Sequence, residues 1–400
     1  MRIKIEKSTA KGIINAQPSK SYSHRLLIAA ALSNEECIIE NVVLSNDITT
    51  TINCLTTLKK EIIINNSTVT IKTLNEPLED ELIFDCYESG STLRFMIPVA
   101  ALTGKRLIFK GTKKLISRGI GPFEEILKQQ GFNIEIYEEK IIIEGKLQSG
   151  IFNIVGNISS QFISGLLLSL PLLKEDSIIN LTTKLESKNY VDMTIDVLRQ
   201  AGIDIKQENN KYYIKGSSKY NKGSYLVEGD YSNSAFLDAF NYLNGNVIIN
   251  NLKEDSLQGD KIYKELFKLL DEKYQIIDIS NCIDLGPILF VFSSLKHGAH
   301  FINTSRLKIK ESDRISDLKE ELLKFGIEVI DRDNEVIINN QNIHNPIREL
   351  EGHNDHRIVM ALSIMLTVYG GVINGTNAVK KSYPSFFKDL EKLGIEVKYE

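Results

Sequence analysis

The segment 310–314 reads Lys-Glu-Ser-Asp-Arg and places two cations and two carboxylates within five residues. An apolar run at helical spacing, from Ile315 to Phe325, follows it and predicts a helix that begins near Arg314. Free backbone N–H groups and the helix dipole favour an anion at such a terminus. The segment is therefore a candidate anion site. A solvated helix start stabilised by charge pairs four residues apart would have the same composition, so both interpretations stay open at this point.

Short segments that combine cations with hydroxyl, glycine or amide residues recur along the chain. They are 18–25 (Pro-Ser-Lys-Ser-Tyr-Ser-His-Arg), 88–94 (Glu-Ser-Gly-Ser-Thr-Leu-Arg), 116–119 (Ile-Ser-Arg-Gly), 354–357 (Asn-Asp-His-Arg) and 380–384 (Lys-Lys-Ser-Tyr-Pro). Hydroxyls and turn N–H groups donate hydrogen bonds to phosphate, and arginine offers a bidentate fork to phosphate or carboxylate. Together with 310–314, these segments indicate a protein that binds small anionic molecules.

The composition limits the classes of partner. The chain has 400 residues, of which 42% are hydrophobic and 25% charged, which is enough for two well-buried cores. Its formal net charge is -4, so affinity for anions must come from local clusters of cations. Nucleic acid is not an expected partner of such a chain.

The cysteines and the apolar stretches predict a cytoplasmic protein. Four cysteines are scattered without the spacing of a zinc site or a disulfide framework: Cys37, Cys54, Cys86 and Cys282. Residues 1–7 alternate apolar and charged side chains and lack the apolar core of a signal peptide. The apolar stretches 162–173 and 358–369 are shorter than the ~20 residues of a membrane span, so both are predicted to be buried helices.

A repeated pattern predicts the architecture. A helix end, a glycine and an alternating strand recur at Gly131, Gly202, Gly326 and Gly394, and each glycine is expected to end its helix in a left-handed conformation. The interval from Gly202 to Gly326 is close to twice the other two, which indicates a missed copy near Leu266. A further degenerate copy lies within 55–71. Six units, three in each of two domains, follow from this spacing, and a polar break at 227–234 favours a domain junction there.

In their order along the chain, these motifs resemble the enolpyruvyl transferase family, and within it the branch that acts on shikimate 3-phosphate. The resemblance covers the whole length and rests on Lys20-Ser21 with Arg25, Gly90 with Arg94, Arg118, the Ser-Ser-Gln at 159–161, Ser187 with Tyr190, the Glu-Gly-Asp at 228–230, Asp284, 310–314, 354–357 and Lys381. The motifs at 310–314 and 354–357 are specific in themselves.

The fold that this resemblance implies is α/β, with two similar domains of three βαβαββ units each. Helices lie inside and sheets outside, as in an inside-out α/β barrel, and the active site is in the interdomain cleft. The implied boundaries are 19–228 for an N-terminal domain, and 1–18 with 229–400 for a discontinuous C-terminal domain.

The implied reaction moves the enolpyruvyl group of phosphoenolpyruvate to the 5-hydroxyl of shikimate 3-phosphate and releases phosphate. This step belongs to the shikimate pathway, which leads to chorismate and the aromatic amino acids. The family uses no metal and no organic cofactor, and suggests a monomer. Both substrates are anionic, which gives a reason for the many cations.

The resemblance also assigns roles to residues of this chain. The expected shikimate 3-phosphate contacts are Lys20, Ser21, Arg25, Ser159, Ser160, Gln161, Ser187, Asp284 and Lys310. The expected phosphoenolpyruvate contacts are Lys20, Gly90, Arg118, Gln161, Arg314, Arg357 and Lys381. Asp284 is the expected base, Glu311 the expected proton donor, and Lys20 or Lys381 is expected to stabilise charge on the phosphate. Without the resemblance, Asp284 would be interpreted as the N-cap of the apolar helix that follows it.

The residues disfavour three alternatives. A related transferase acts on UDP-N-acetylglucosamine, but that group has Lys-Asn near its N-terminus and a reactive loop cysteine, whereas this chain has Lys20-Ser21 and no cysteine between Cys86 and Cys282. A non-catalytic anion-binding relative would lack Asp284 or Glu311, and both are present. The pair His353 and His356 has no further histidine or cysteine in a supporting motif, so a metal site is not predicted.

Overall fold

The computed structural model describes residues 1–74, 76–221, 223–340 and 342–400. These residues divide into two compact units. One is Pro18–Glu228, called here the N-terminal unit; the other combines Met1–Gln17 with Gly229–Glu400 and is called the C-terminal unit. Both ends of the chain therefore belong to the same unit.

The strands are short and are numbered in chain order. They are β1 (Ile3–Ile5), β2 (Lys11–Asn15), β3 (Cys37–Glu40), β4 (Lys60–Asn65), β5 (Thr68–Thr73), β6 (Glu81–Asp85), β7 (Arg106–Lys110), β8 (Asn133–Ile136), β9 (Lys140–Glu144), β10 (Ile151–Ile154), β11 (Ser177–Leu181), β12 (Ile205–Glu208), β13 (Lys211–Ile214), β14 (Ser224–Leu226), β15 (Asn246–Asn250), β16 (Gln275–Asp278), β17 (Ala299–Ile302), β18 (Glu328–Arg332), β19 (Glu335–Asn339), β20 (Leu350–Glu351), β21 (Gly371–Asn374) and β22 (Val397–Tyr399).

The α-helices alternate with these strands. They are α1 (Lys20–Leu32), α2 (Asn46–Thr57), α3 (Gly90–Ala101), α4 (Lys113–Ser117), α5 (Gly121–Gln129), α6 (Ser160–Ser169), α7 (Lys188–Gln200), α8 (Tyr231–Asp238), α9 (Tyr263–Glu272), α10 (Gly286–Ser294), α11 (Arg314–Leu323), α12 (His356–Tyr369) and α13 (Phe386–Lys392).

One sheet arrangement recurs in both units. Two parallel strands are followed by two antiparallel ones in the orders β6-β7-β9-β8, β10-β11-β13-β12 and β14-β3-β5-β4 of the N-terminal unit, and in β16-β17-β19-β18 and β20-β21-β1-β22 of the C-terminal unit. The remaining pair, β2 with β15, is parallel. The repeat in the sequence therefore corresponds to a sheet pattern that recurs in the structure.

The four glycines of the repeat adopt the predicted conformation. Gly131, Gly202, Gly326 and Gly394 have φ values of 82°, 84°, 81° and 86° and follow α5, α7, α11 and α13. A left-handed residue after a helix satisfies its last carbonyl groups, and glycine adopts it without a steric penalty. The predicted copy near Leu266 is reduced, because α9 is followed by the single strand β16 and the sheet of β2 and β15 has two strands.

Helices form the interior of each unit. Helix α3 is buried except at Ser91, and α10 is buried along its whole length, whereas β6 and β10 alternate exposed and buried residues. A helix that is apolar on all sides is stable only when other elements enclose it. The stretches predicted to be buried helices are α6, with a 3₁₀ turn at Leu170–Leu172, and α12, which confirms that prediction. Among the described residues, no helix has the length and apolarity to cross a membrane.

The helices carry most of the motifs predicted to bind anions at their N-terminal ends. Short polar side chains cap these ends by accepting a hydrogen bond from a backbone N–H group: Ser19 on α1, Ser89 on α3, Ser159 on α6, Asp313 on α11 and Asp355 on α12. The capping residue fixes where each helix begins, so it also fixes where the motif side chains project.

Candidate active site

Arg314 is the centre of a charged cluster in the C-terminal unit. It is the first residue of α11 and is 1% exposed. Its Nε lies 2.8 Å from Asp355 Oδ2, its Nη1 3.0 Å from Asp284 Oδ1 and its Nη2 2.7 Å from Glu311 Oε2. Burial lowers the pKa of Arg314, but these carboxylates, that of Asp355 first, raise it above the ordinary value. The guanidinium therefore stays charged and is fixed in one orientation.

Asp284 lies among three cations. Its Oδ1 is 3.1 Å from Lys310 Nζ and 3.0 Å from Arg314 Nη1, and its Oδ2 is 3.7 Å from Arg357 Nη2. Burial would raise the pKa of Asp284, but the positive charges hold it well below its ordinary value. The carboxylate is therefore ionised at neutral pH and can accept a proton. Its interpretation as an N-cap is wrong, because the cap position of α10 belongs to Leu285.

Glu311 and Asp284 bind the same guanidinium. Glu311 reaches Nη2 of Arg314, whereas Asp284 reaches Nη1. Since Nη1 and Nη2 belong to one planar group, Arg314 holds both carboxyl groups at the end of a single side chain. The segment 310–314 thus supplies both a cation and a carboxylate to the cluster, and α11 begins at Arg314 as the sequence predicted.

A sharp turn at His353 and Asn354, just before α12, lies next to Lys381. His353 and Asn354 both have left-handed backbones, with φ values of 48° and 52°. Two such residues in a row are strained. The turn lets Asn354 O accept a hydrogen bond from Lys381 Nζ at 2.5 Å, and lets Asp355 Oδ1 accept one from the Arg357 N–H at 2.8 Å. Lys381 is buried and Lys380 exposed, so Lys381 is the one that contacts the 354–357 motif.

Two polar residues that the sequence interpretation did not select lie next to Arg357. Ser232, in the first turn of α8, accepts a hydrogen bond from Arg357 Nη2 at 3.1 Å and donates its own hydroxyl hydrogen to Asp260 Oδ2. Asp260 is 3% exposed. In the sequence, Asp260 is a single carboxylate in the Gln-Gly-Asp at 258–260. A surface turn has the same composition, so the sequence offered no reason to assign Asp260 to the site.

Lys20 and Asp47 form an ion pair in the N-terminal unit. Lys20 is the first residue of α1, and its Nζ lies 3.0 Å from Asp47 Oδ2. Asp47 belongs to the first turn of α2, where a carboxylate also interacts favourably with the helix dipole. The sequence pointed to Lys20 but did not identify its partner, because the two residues are brought together only by the packing of α1 on α2.

Arg25 is buried among neutral oxygen atoms. Its Nε donates to Thr194 Oγ1 at 2.7 Å, its Nη1 to the carbonyl of Ser21 at 2.8 Å and its Nη2 to the carbonyl of Tyr190 at 2.9 Å. Its guanidinium carbon also lies 5.1 Å from the centre of the Phe95 ring. Burial lowers the pKa of Arg25 to about 10, so it is charged at neutral pH. Among the described residues, its hydrogen-bond partners carry no negative charge, which leaves its positive charge available to an anion.

Gln161 connects the starts of α3 and α6. Its Oε1 accepts a hydrogen bond from Arg94 Nη1 at 2.6 Å, and its Nε2 donates one to Ser91 Oγ at 2.9 Å. The two helices approach so closely that a Cβ atom at Gly165 would lie 2.5 Å from the carbonyl oxygen of Arg94. Gly165 therefore permits the contact that orients Gln161.

Arg118 lies against the first residue of α3. A Cβ atom at Gly90 would be 3.0 Å from Arg118 Nη1 and 3.2 Å from its guanidinium carbon. A side chain at this position would therefore have to displace the guanidinium. Gly90 and Arg118, two of the expected phosphoenolpyruvate contacts, therefore lie against each other at the N-terminus of α3, and their roles remain predictions.

The remaining predicted contacts lie at helix starts in the same unit. Ser159 caps α6, Ser160 is its buried first residue, and Ser187 precedes α7 with a left-handed backbone and 2% exposure. Their positions agree with a role in holding an anion at helix N-termini, and their roles remain predictions.

One group of side chains in the described residues has metal-ligand geometry: Glu320, Glu321 and His353. Both oxygen atoms of Glu321 already lie within 2.9 Å of Lys324 Nζ, and Oε1 is 3.0 Å from His353 Nε2. This hydrogen bond raises the pKa of His353, although burial opposes it. The lysine thus compensates the buried carboxylate, and the group reads as an ion-pair network beneath the 353–355 turn.

Comparisons with known proteins agree on one family. The model of the EPSP synthase family, 3-phosphoshikimate 1-carboxyvinyltransferase, matches residues 5–390. A curated 3-phosphoshikimate 1-carboxyvinyltransferase from Clostridium acetobutylicum is 42% identical over 99% of this chain and 98% of its own length. Another from Clostridioides difficile is 38% identical over 98% of this chain and 97% of its own length.

Solved structures show the same fold. An EPSP synthase from Acinetobacter baumannii covers 100% of both chains with a TM-score of 0.80 and 21% identity. The enolpyruvyl transferase NikO from Streptomyces tendae covers 99% of this chain and 98% of its own, with a TM-score of 0.76 and 13% identity. These likenesses confirm the predicted fold class.

Proposed function

We propose, on the premise that this chain belongs to the EPSP synthase family, that it transfers the enolpyruvyl group of phosphoenolpyruvate to the 5-hydroxyl of shikimate 3-phosphate and releases phosphate. The observation that carries this proposal is that Asp284 and Glu311 are held by one guanidinium, that of Arg314. An addition to a double bond needs a base at the attacking hydroxyl and an acid at the carbon that takes up the proton.

The proposed chemistry has two stages. The 5-hydroxyl oxygen bonds to C2 of phosphoenolpyruvate while Asp284 takes its proton. Glu311, which enters this step as the neutral carboxylic acid, protonates the C3 methylene, which becomes a methyl group. The bond from C2 to the phosphate oxygen then breaks, and the methyl group returns a proton to Glu311 as the double bond forms again. The hydroxyl proton leaves with phosphate, so atoms and charges balance without an oxidant or a reductant.

The basicity of Asp284 is expected to increase when a substrate binds the cations that surround it. A carboxylate held among Lys310, Arg314 and Arg357 is a weak base, because these cations stabilise its charged form. An anionic substrate that binds the same cations adds negative charge next to Asp284. This raises the affinity of Asp284 for a proton, so the base becomes effective when the substrate is in place.

Substrate binding is proposed to divide among the cations. In the N-terminal unit, Arg25 has neutral hydrogen-bond partners among the described residues and suits the phosphate of shikimate 3-phosphate. Arg118, Arg357 and Lys381 suit the phosphate and carboxylate of phosphoenolpyruvate. The protein is also proposed to act as a monomer in the cytoplasm, where its four cysteines, all of them buried and outside any disulfide, would persist as thiols.

Phosphate release from the purified protein tests the proposal. We expect release with phosphoenolpyruvate plus shikimate 3-phosphate, and none with phosphoenolpyruvate plus UDP-N-acetylglucosamine. The Asp284→Asn variant serves as the matched control for contaminating phosphatase. Release only with the sugar nucleotide would keep the fold and overturn the acceptor substrate. No release with either acceptor would favour a non-catalytic anion-binding relative.

A further inference from the structure

A hydrogen-bonded chain runs from a buried carboxylate to a cation of the candidate site. The carboxylate of Asp260 accepts a hydrogen bond from the Ser232 hydroxyl, and the same hydroxyl oxygen accepts one from Arg357 Nη2 at 3.1 Å. All three side chains are buried, with exposures of 3%, 7% and 5%. A hydroxyl that donates to a carboxylate becomes a better acceptor for a guanidinium, because hydrogen bonds in a chain polarise one another.

The carboxylate is held in place by its own segment. The side-chain oxygen of Gln258 accepts a hydrogen bond from the N–H of Tyr231 at 3.0 Å, and its side-chain nitrogen donates to the carbonyl of Gly229 at 2.7 Å. Asp230 caps the helix that begins at Tyr231 by accepting from the N–H of Asn233 at 2.8 Å. The turn that carries Asp260 is thus fastened to the start of α8, where Ser232 lies.

Arg357 stands between two anionic groups. On one side is Asp284, whose Oδ2 lies 3.7 Å from Arg357 Nη2; on the other is Asp260, reached through Ser232. Burying a second carboxylate next to Asp284 is unfavourable in itself, and burial together with the charge of Asp284 raises the pKa of Asp260 to about 6. A costly buried carboxylate of this kind needs a compensating contact, and the chain to Arg357 provides one.

We propose that Asp260 and Ser232 are positioning residues for the transfer reaction: through the Ser232 hydroxyl, the Asp260 carboxylate keeps the Arg357 guanidinium from closing on Asp284 and directs it toward the anionic groups of phosphoenolpyruvate. This inference rests on the proposed function for its kinetic consequence. Arg357 should also move when the hydrogen-bonded chain through Ser232 is interrupted, and this movement does not depend on turnover.

Ser232→Ala cuts the chain at its middle. A hydrogen bond to a charged group contributes enough that we expect the KM for phosphoenolpyruvate to rise about 10-fold or more. The KM for shikimate 3-phosphate should stay within about twofold, and the fall in kcat should be smaller than the rise in KM, because uniform loss of ground-state and transition-state binding acts on KM. Asp260→Asn should show the same split, and Ser232→Thr, which keeps the hydroxyl, should restore most of the affinity.

Ser234→Ala is the matched control. Ser234 is buried in the same helix, and within the described residues its hydroxyl has no hydrogen-bond partner. The control removes one hydroxyl from α8 without touching Arg357. Far-ultraviolet circular dichroism and thermal unfolding of each variant identify any that fails to fold, and the Thr variant then carries the comparison.

A double-mutant cycle and crystal structures decide the inference. In an Arg357→Gln background, Ser232→Ala should have almost no further effect on the KM for phosphoenolpyruvate, because the residue acts through Arg357. Equal effects in both backgrounds would overturn the proposal, as would a Ser232→Ala variant that behaves like Ser234→Ala. If the wild-type protein does not turn over, the proposed function fails, but the crystal structures still decide: a guanidinium in the same place in Ser232→Ala and Ser234→Ala overturns the inference, and one shifted toward Asp284 supports it.

Discussion

Replacing Arg314 with glutamine should destabilise the C-terminal unit more than any loss of a single hydrogen bond would. Arg314 contacts Asp355, Asp284 and Glu311 at distances between 2.7 and 3.0 Å. Glutamine keeps the first two methylene groups of the arginine side chain but carries no charge. The substitution therefore removes the cation that compensates the charge of three carboxylates.

The magnitude follows from the burial of each pair. The side chains of Arg314 and Asp355 are 1% and 0% exposed, and removing one partner of a buried ion pair costs about 3–5 kcal/mol. Asp284 and Glu311 are 19% and 21% exposed, so water screens their loss and they add less. We expect the free energy of unfolding to fall by about 3–5 kcal/mol in total, which a domain of ordinary stability, about 5–15 kcal/mol, can lose and still fold.

Urea unfolding followed by circular dichroism measures this change, since the chain has no tryptophan to report by fluorescence. Arg314→Gln combined with Asp355→Asn is the control, because asparagine keeps the cap on α12 and removes the buried charge. The double variant should regain about 1–3 kcal/mol of the loss without regaining activity. A single variant within about 0.5 kcal/mol of wild type, the range of ordinary surface substitutions, or a double variant no more stable than the single one, would refute the reasoning.

Three further predictions concern activity. Asp284→Asn and Glu311→Gln should each lower kcat by about 10²–10⁴-fold in the phosphate-release assay, the usual contribution of an acid or base group, and turnover within about threefold of wild type would remove that residue from the mechanism. Gly90→Ala should raise the KM for phosphoenolpyruvate, because its Cβ would lie 3.0 Å from Arg118 Nη1, while the KM for shikimate 3-phosphate stays unchanged. The KM for phosphoenolpyruvate should rise as the pH falls through about 6, where Asp260 takes up a proton and loses its charge.

Two of these predictions have built-in comparisons. Gly121 also lies at a helix start, but a Cβ atom there would meet nothing within 4 Å, so Gly121→Ala should leave both KM values unchanged. The pH profile must be read against Asp260→Asn, because the phosphate group of the substrate also titrates near pH 6. The charges that act on Asp260 are Asp284, Asp230 and Arg357, with Ser232 as its hydrogen-bond donor. A wild-type profile parallel to that of the Asn variant would exclude titration of Asp260 as the cause.

Local patterns in the sequence predicted the parts of the fold that depend on local physics. The four repeat glycines needed only the rule that a left-handed residue ends a helix, and all four adopt that conformation. The start of α11 near Arg314 followed from the apolar residues at helical spacing between Ile315 and Phe325. Both signals are local in the sequence, so no knowledge of the tertiary structure was needed.

The pairings within the site could not be derived in the same way. Asp260 and Arg357, or Lys20 and Asp47, are distant in the sequence and meet only through the packing of different helices. The N-cap interpretation of Asp284 failed for a related reason, because a short polar residue before a helix is a good cap only when no stronger partner competes. Here two cations lie within 3.1 Å of its carboxylate.

Arg25 has different surroundings from Arg314 and Lys310, and the difference predicts different roles for these cations. In the part of the chain that the structure describes, Arg25 donates its hydrogen bonds to neutral oxygen atoms, so an anion that binds it displaces no carboxylate and is attracted by a buried charge. Arg314 and Lys310 are already paired with Asp284, so an anion that binds them must compete with that carboxylate and thereby raises its basicity. We therefore expect loss of Arg25 to act mainly on substrate affinity. Loss of Lys310 should act on both affinity and the proton transfer, because it changes the charge next to the base.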